Sequence, residues 1–578
     1  MTRLALFVLS LPLATGWWLA PQPARSQTAA AAPKVDSKDE QGIPVTSDLV
    51  KQKCAGCHKA DEKGRLTRIS GRRTTPEGWE ETIKRMVSLN NLRIDPAEAR
   101  EVLRYLANHQ GLAPEEARPA RFEAERRQDD YHYASDRESD KDKKDTEETC
   151  TACHSLGRVI SQRRTKEEWE LLVAMHRGYY WLSDFQAFRR IGPARNEPGP
   201  DGRPPDNRHP MDKAIAHLSS AFPLETAEWS AWSATMRAPK LDGRWALSGY
   251  QIGKGPVFGQ VVIKTSGAPD SGDFTTETTF TYARTGEKIT RQGKAIVYTG
   301  YQWRGRSGDW REVMFVDRDW RSADGRWFTG AYDEFGIDVR LTRMGADPIL
   351  LGTTQSMIKA GVSGQEIRLN GANFPAQVSP GDVNFGPGVT VDRIASVSPD
   401  QIVASVSVAK SATPGRRNVL VAGTVGDATV AVYDTIDYVK VLPQAGLSRV
   451  GGANFPKQFQ PFEAVAYANG PDGKPDTKDD VELGAIDAKW SIEEYTATYS
   501  DDDKDFVGAI DAASGLFTPN LDGPNPQRRH GTNNYGDVWV VATVQTGTAA
   551  SDRALKGRAH LLVTVPLYIK WDQPEVGR

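Results

Sequence analysis

The chain has 578 residues, with 73 Lys and Arg against 75 Asp and Glu and a formal net charge of −2. That length suits three to five domains at roughly 100–200 residues each, and the near-neutral balance excludes a strongly basic, nucleic-acid-binding chain. With 39% apolar and 9% aromatic residues, the composition is that of packed globular domains and excludes a disordered polymer.

In chain order, Arg3 precedes an apolar run from Leu4 to Ala20 that Pro12 interrupts, and a small-residue exit follows at Ala24-Arg25-Ser26. This predicts a signal peptide over residues 1–26 and a flexible, Ala-rich and charged lead-in over 27–42. No later stretch approaches the roughly 18 apolar residues of a spanning helix, so the mature chain is expected to lack a membrane span.

Two pentapeptides then dominate the first third: Cys54-Ala55-Gly56-Cys57-His58 and Cys150-Thr151-Ala152-Cys153-His154. Each is C-x-x-C-H, the pattern that attaches a c-type haem. The two thiols add across the haem vinyl groups and the histidine becomes the proximal iron ligand. All four cysteines of the chain are spent on the two copies. A metal-binding or thioredoxin-like C-x-x-C pair does not account for a histidine at the same place in both. Two covalently attached haem c groups are therefore predicted, held by Cys54 and Cys57 with His58, and by Cys150 and Cys153 with His154. Such haems are attached after export in bacteria, so motif and signal agree on the periplasm.

Around the motifs the sequence repeats itself. Ser47 is placed to cap a helix running into Cys54. Pro76-Glu77-Gly78-Trp79 opens a second helix, with Trp79, Ile83, Met86 and Val87 on one face. Asp95-Pro96 starts a third, with Ala99, Val102, Leu103 and Leu106 as its stripe and Gly111 as its end. The segment Arg158 to Thr165 mirrors Arg68 to Thr74, Glu168-Trp169-Glu170 mirrors Gly78-Trp79-Glu80, and Pro210 opens a closing helix with Ala214, Ile215 and Leu218. This is an internal duplication, an all-α di-haem cytochrome c domain over residues 43–222. The charge-dense Arg118–Glu148 stretch between the copies reads as a solvated linker, and the insertion Ile191–Asn207 as irregular.

Alternating stretches such as Gly259–Ile263, Thr276–Phe280 and Lys294–Tyr298, with tryptophans 303, 310, 320 and 327, predict an antiparallel β-barrel-like domain over 223–345. Short strands and turns predict two Ig-like sandwiches, one IPT/TIG-like over 346–442 and one resembling bacterial Ig-like domains over 443–578. Asp472, Asp476, Asp479, Asp480 and Asp501-Asp502-Asp503 match no calcium loop and read as acidic loops.

The sixth ligand of each iron follows from the paired tryptophans. Met86 stands seven residues after Trp79, about 700° of rotation and so within about 20° of the same face. His176 stands seven after Trp169, whereas Met175 points about 120° away. The prediction is His58/Met86 for the first haem and His154/His176 for the second, with Met175, His209 and His217 as rivals to His176; His109 and His132 read as surface or structural. Because a thioether favours the reduced ion, the first centre is expected at the higher potential, with electrons entering at the second. Lys51, Lys53, Lys59 and Lys63 offer a surface for an acidic acceptor, or simply a solvated helix face.

Signal peptide, C-A-G-C-H and C-T-A-C-H about a hundred residues apart, a Trp-rich barrel and two Ig-like domains together resemble the alpha subunit of quinohemoprotein amine dehydrogenase, over nearly all of the mature chain. The resemblance implies a propeller-like beta subunit and a small gamma subunit that carries cysteine tryptophylquinone. Primary amines reduce that quinone, and the haems pass its electrons to a periplasmic acceptor such as a small copper protein or cytochrome c. With no cysteine beyond the haem pairs, this chain cannot build such a quinone, and no nucleophile–base motif gives it chemistry of its own. No catalytic residue is assigned to it. Two other readings stand beside this one: the di-haem electron-transfer subunit of another periplasmic dehydrogenase, and a di-haem peroxidase-like enzyme with an open axial position.

Overall fold

A computed structural model describes residues 42–120, 141–151, 156–180, 183, 197–198, 202, 204–426, 428–496, 501–546 and 553–566. The predicted signal peptide, most of the lead-in, Cys153, His154, His132 and most of the Ile191–Asn207 insertion lie outside these residues.

The first unit is built on three helices: α1 (Asp48–Cys54), α2 (Pro76–Asn90) and α3 (Pro96–His109). Ser47 caps α1, Thr75 caps α2, and Asp95 caps α3 in a full capping box with Glu98, each oxygen taking a backbone N–H that the first helical turn leaves unsatisfied. Their apolar faces close on one core of Val45, Val50, Leu66, Trp79, Val102 and Leu106. Val87, expected on that face, is 45% exposed. α3 stops two residues before Gly111, on Gln110, whose carbonyl accepts both the Trp79 indole N–H (3.0 Å) and the Thr74 N–H (3.1 Å). After a short helix α4 (Pro114–Ala117), the second unit comprises α5 (Lys141–Thr151), α6 (Gly157–Ile160), α7 (Lys166–Tyr179) and a closing helix Pro210–Ala221.

Two expectations need correction here. The charged run is not linker throughout: Lys141–Thr151 is helical and leads into the second motif. Lys143–Glu147 and Lys144–Glu148 pair at i,i+4, while Lys213 and Arg208 reach across to Asp145 and Asp142. Charges at helical spacing stabilise a helix as readily as they solvate a loop. Nor is the haem region all-α. β1 (Arg72–Thr74) pairs antiparallel with β2 (Gln162–Arg164), with Arg73 opposite Arg163, so the two copies meet across a two-stranded sheet that three-residue strands barely announce.

The β region begins with a closed barrel in the order β10-β3-β4-β5-β6-β7-β8-β9. Its strands are β3 (Gly243–Gln251), β4 (Gly255–Thr265), β5 (Asp273–Tyr282), β6 (Lys288–Tyr298), β7 (Gln302–Ser307), β8 (Trp310–Val316), β9 (Ser322–Thr329) and β10 (Phe335–Arg343). Alternation with period two sends Phe274, Phe280 and Tyr282 of β5 inward, where Trp245, Trp303 and Trp327 fill the barrel. Of the four tryptophans singled out in the sequence, Trp310 and Trp320 pack against this core half-buried. Next come two four-stranded sheets that share one core of Ile367, Leu369, Ile402, Val406, Val419 and Val430. The final segment holds a four-stranded and two three-stranded sheets around Val441, Phe462, Trp490, Phe517 and Val540. The chain as a whole is multidomain and mostly β, and no helix among the described residues is long and apolar enough to cross a membrane.

The haem region is bolted to the barrel. Glu77, at the start of α2, pairs with Arg304 of β7, both side chains at most 4% exposed. Tyr301 Oη donates to the Leu112 carbonyl (3.0 Å) and Thr299 Oγ1 to that of Ala107 (2.9 Å). Arg104 of α3 makes a two-pronged contact with Asp273 at 2.7 and 2.9 Å.

Candidate haem-binding sites

In the first unit α1 ends on Cys54, and the chain turns at once: the N–H groups of Cys57 and His58 donate to the Cys54 carbonyl at 3.2 and 2.9 Å. Both thiols and the imidazole therefore spring from a single turn. Cys54 is half-buried against the core that also receives Ile83, while Cys57 is exposed. Burial, reinforced by the neighbouring Cys57, pushes the Cys54 thiol up. His58 Nδ1 lies 2.8 Å from the Thr67 carbonyl. A carbonyl only accepts, so Nδ1 carries the proton and Nε2 the lone pair, the tautomer in which a histidine ligates a metal.

Met86 is half-buried on α2, and its carbonyl ends the helix, accepting the N–H groups of Leu92 and of the left-handed cap Asn91. α7 repeats the arrangement. Thr165 accepts the Glu168 N–H as Thr75 accepts that of Gly78, both at 3.2 Å, and Trp169 donates to the Phe222 carbonyl as Trp79 does to Gln110. His176 then supplies the carbonyl that accepts the Tyr180 N–H at the helix end. Met86 and His176 thus occupy the same place in the two copies. His176 Nδ1 sits 2.8 Å from the Leu172 carbonyl, which fixes the same tautomer as in His58. Burial pushes this imidazole down, and Arg164, Arg85 and Arg158 add to that against the Leu172 bond.

Met175, His209 and His217 have contacts of their own. Met175 Sδ accepts from Arg68 of the first unit at 3.3 Å. His209 caps the closing helix by accepting the Met211 N–H, and His217 is buried edge-on to Phe222. His109 stacks on Tyr105. Cys150, near the end of α5, is half-buried and packs with Leu172 on the core of Leu156, Trp169, Leu218 and Phe222.

What sequence reading missed is the junction between the copies. Arg73, fully buried, forks onto both oxygens of Glu116 (2.7 and 2.9 Å), stacks over Trp229 and donates to the Leu224 carbonyl; Arg163 joins the same carboxylate at 3.2 Å. Burial alone would raise the Glu116 carboxyl. The charges of Arg163 and Arg73, with the Ala113 N–H, outweigh it and hold the group at about 2. The signal was present in the doubled pairs Arg72-Arg73 and Arg163-Arg164, but the partner 43 residues away was not.

The acidic loops are largely self-satisfied. Asp480 accepts from Tyr438 Oη and the Thr477 and Gly470 N–H groups, and Asp502 and Asp503 pair with Arg528.

Four family models match in sequence order. Residues 45–195 match the haem-binding part of the quinohemoprotein amine dehydrogenase alpha subunit, 238–344 its domain II, 347–434 its domain III and 439–576 its domain IV. No curated protein matches the chain. Among solved structures, a redesigned β-barrel is similar at 17% identity over 19% of this chain and 98% of its own, with a TM-score of 0.16. A Drosophila N-cadherin fragment is similar at 8% identity over 42% and 78%, with a TM-score of 0.18. Neither likeness is close enough to bear on function. The four models together cover nearly the whole chain, and the chain belongs to the alpha-subunit family of quinohemoprotein amine dehydrogenase.

Proposed function

We propose that this chain is the di-haem electron-transfer and scaffold subunit of a periplasmic amine dehydrogenase. The observation that carries the reading is the tryptophan-anchored helix present in both copies, with Met86 and His176 at the same place along it, beside the thiol-bearing turn of the first copy, whose His58 is held through Nδ1 by the Thr67 carbonyl. The two motifs would hold two covalent haems, which supply one-electron oxidation and reduction when bound. Cys54 and Cys57, and Cys150 and Cys153, would anchor them; His58 with Met86, and His154 with His176, would ligate the two irons. The Thr67 and Leu172 carbonyls orient His58 and His176. The thioether of Met86 favours the reduced ion more than an imidazole does, which makes the first centre the exit of the relay. Lys51, Lys53, Lys59 and Lys63 are the surface for an acidic acceptor, with Lys53 also paired to Glu98 at 2.7 Å.

Residues 1–26 act as signal peptide, residues 43–222 form the haem domain, and divisions near 345 and 442 separate the barrel from two Ig-like units that present area to partner subunits. The substrate pocket and the cysteine tryptophylquinone belong to a small gamma subunit, beside a propeller-like beta subunit. The test is rapid mixing of the complex, purified from its native host, with a primary amine. Reduction of the haem spectrum at the rate of quinone reduction or slower, with a small quinone-staining subunit co-eluting, is the expected result. A partnerless chain whose haems ignore amines would overturn the assignment and favour another dehydrogenase, or, if one iron binds carbon monoxide rapidly, a peroxidase.

A further inference from the structure

The Thr67 carbonyl that takes the His58 Nδ1 proton sits in a strained turn. The Ile69 N–H donates to the Leu66 carbonyl at 3.2 Å, closing a β-turn over Leu66, Thr67, Arg68 and Ile69. Arg68, its third residue, has φ +68°, whereas Thr67 has no positive φ. A positive φ at the third position alone marks a type II turn, which ordinarily takes glycine or asparagine there. For an arginine, whose Cβ crowds the left-handed region, this conformation is unfavourable.

Type I and type II turns differ by a flip of the central peptide. A type I turn would relax Arg68, but it would face the Thr67 carbonyl the other way, off His58. The second copy shows the relaxed alternative. Gly157 and Arg158, at the places of Thr67 and Arg68, lie in α6, and the Gly157 carbonyl accepts the Ser161 N–H at 3.0 Å as a helical carbonyl does. In the first copy the equivalent carbonyl is turned out of that pattern and meets His58 Nδ1 at 2.8 Å.

The other copy offers what holds Arg68 there. Its side chain, 32% exposed, contacts Glu168 of α7 at 3.4 Å, and its Nη2 donates to Met175 Sδ at 3.3 Å, next to His176 on the same helix. Strain at a single residue persists where the surroundings over-determine it, and it concentrates at functional sites. We propose that Arg68 is a positioning residue for the first haem: its backbone, held left-handed by the contacts to α7, turns the Thr67 carbonyl onto His58. The proximal ligand of the first iron is thereby tied to the helix that carries His176. This deepens the di-haem reading above and rests on it. A carbonyl on Nδ1 raises the basicity of the imidazole, which favours the ferric ion and lowers the potential of that centre.

The test uses the full, haem-loaded chain with Arg68→Ala and Arg68→Gly. Both remove the same charge and the same contacts to α7, so the difference between them isolates the backbone. Glycine takes a positive φ freely, whereas alanine, without the anchor, relaxes the turn. Haem content is measured first, then the midpoint potential of each haem. The higher wave of the alanine variant should lie above that of the glycine variant by an amount of the order of a tenfold shift in the ferric/ferrous ratio, ~59 mV. In proton NMR, the His58 Nδ1 proton should exchange with solvent faster in the alanine variant than in the glycine variant. An alanine variant that fails to load haem beside a loaded glycine variant supports the proposal equally. Higher waves that coincide in the two variants would overturn it, as would a difference confined to the lower wave, or failure of both variants to load. A parent chain that carries no haem would instead sink the di-haem reading itself.

Discussion

Replacing Glu116 by glutamine removes a carboxylate that holds Arg73 and Arg163 together at the seam of the two copies. Holding that carboxyl at about 2 rather than near its ordinary 4.5 corresponds to about 3 kcal/mol of stability at neutral pH. The loss on mutation should be at least that. Glutamine keeps the shape but removes the charge that two guanidinium groups, 0% and 9% exposed, share, and breaking a buried pair in this way typically costs about 3–5 kcal/mol. Because the carboxyl is held below its unfolded value, its contribution is present above pH ~4.5 and is lost as the pH falls from there through about 2. The assay is urea titration of the haem-loaded chain, with Soret absorbance reporting the haem domain and far-UV circular dichroism the β domains, since a multidomain chain has no single unfolding free energy. The Glu116→Gln variant should lose about 3–5 kcal/mol in the Soret transition and much of the parent's pH dependence between 4.5 and 2. A Soret transition within about 0.5 kcal/mol of the parent, or an unaltered acid profile, would refute the reasoning.

Other substitutions test other links. Met86→Ala should open one axial position, so that the reduced chain binds one carbon monoxide and the higher-potential wave disappears; no binding would mean that Met86 is not a ligand. Gly111→Ala places a Cβ 2.3 Å from the Ala107 carbonyl and 2.7 Å from Thr299 Oγ1, an overpacking worth about 1–3 kcal/mol that thermal unfolding would detect as a lowered midpoint. Arg104→Ala and Arg304→Ala form a contrast at the barrel interface. The Arg104–Asp273 pair is about one-third exposed and should contribute less than about 1 kcal/mol. The Arg304–Glu77 pair is buried and should cost about 3–5 kcal/mol when broken; equal effects in urea titration would contradict this accounting.

The sequence made the duplicated units visible because their elements are local: Ser47, Thr75 and Asp95 cap the helices they precede, and Trp79 and Trp169 repeat at a fixed distance from Met86 and His176. The alternating stretches of β4 to β6 likewise contained their own period, though not the closure of β10 onto β3, which nothing within a single strand encodes. What escaped was long-range or hidden by composition. The β1–β2 pairing needs only three residues on each side. The Lys141–Thr151 helix is so charged that it looks like linker until its i,i+4 pairs and its contacts to Lys213 and Arg208 are seen. Glu116 is one of two adjacent glutamates after Pro114, and only its position against Arg73 and Arg163 sets it apart. Met175 and His176 differ by helical angle in the sequence, and Met175 Sδ accepts from Arg68 at 3.3 Å.

The account stands most directly on a potentiometric titration of the purified, haem-loaded chain, repeated with Met86→His. It predicts two one-electron waves for the parent, with the higher wave alone moving down when the thioether is replaced by imidazole. A single wave, or a higher wave that stays in place while the lower one moves, would contradict the assignment of Met86 and His176 and the direction of the relay.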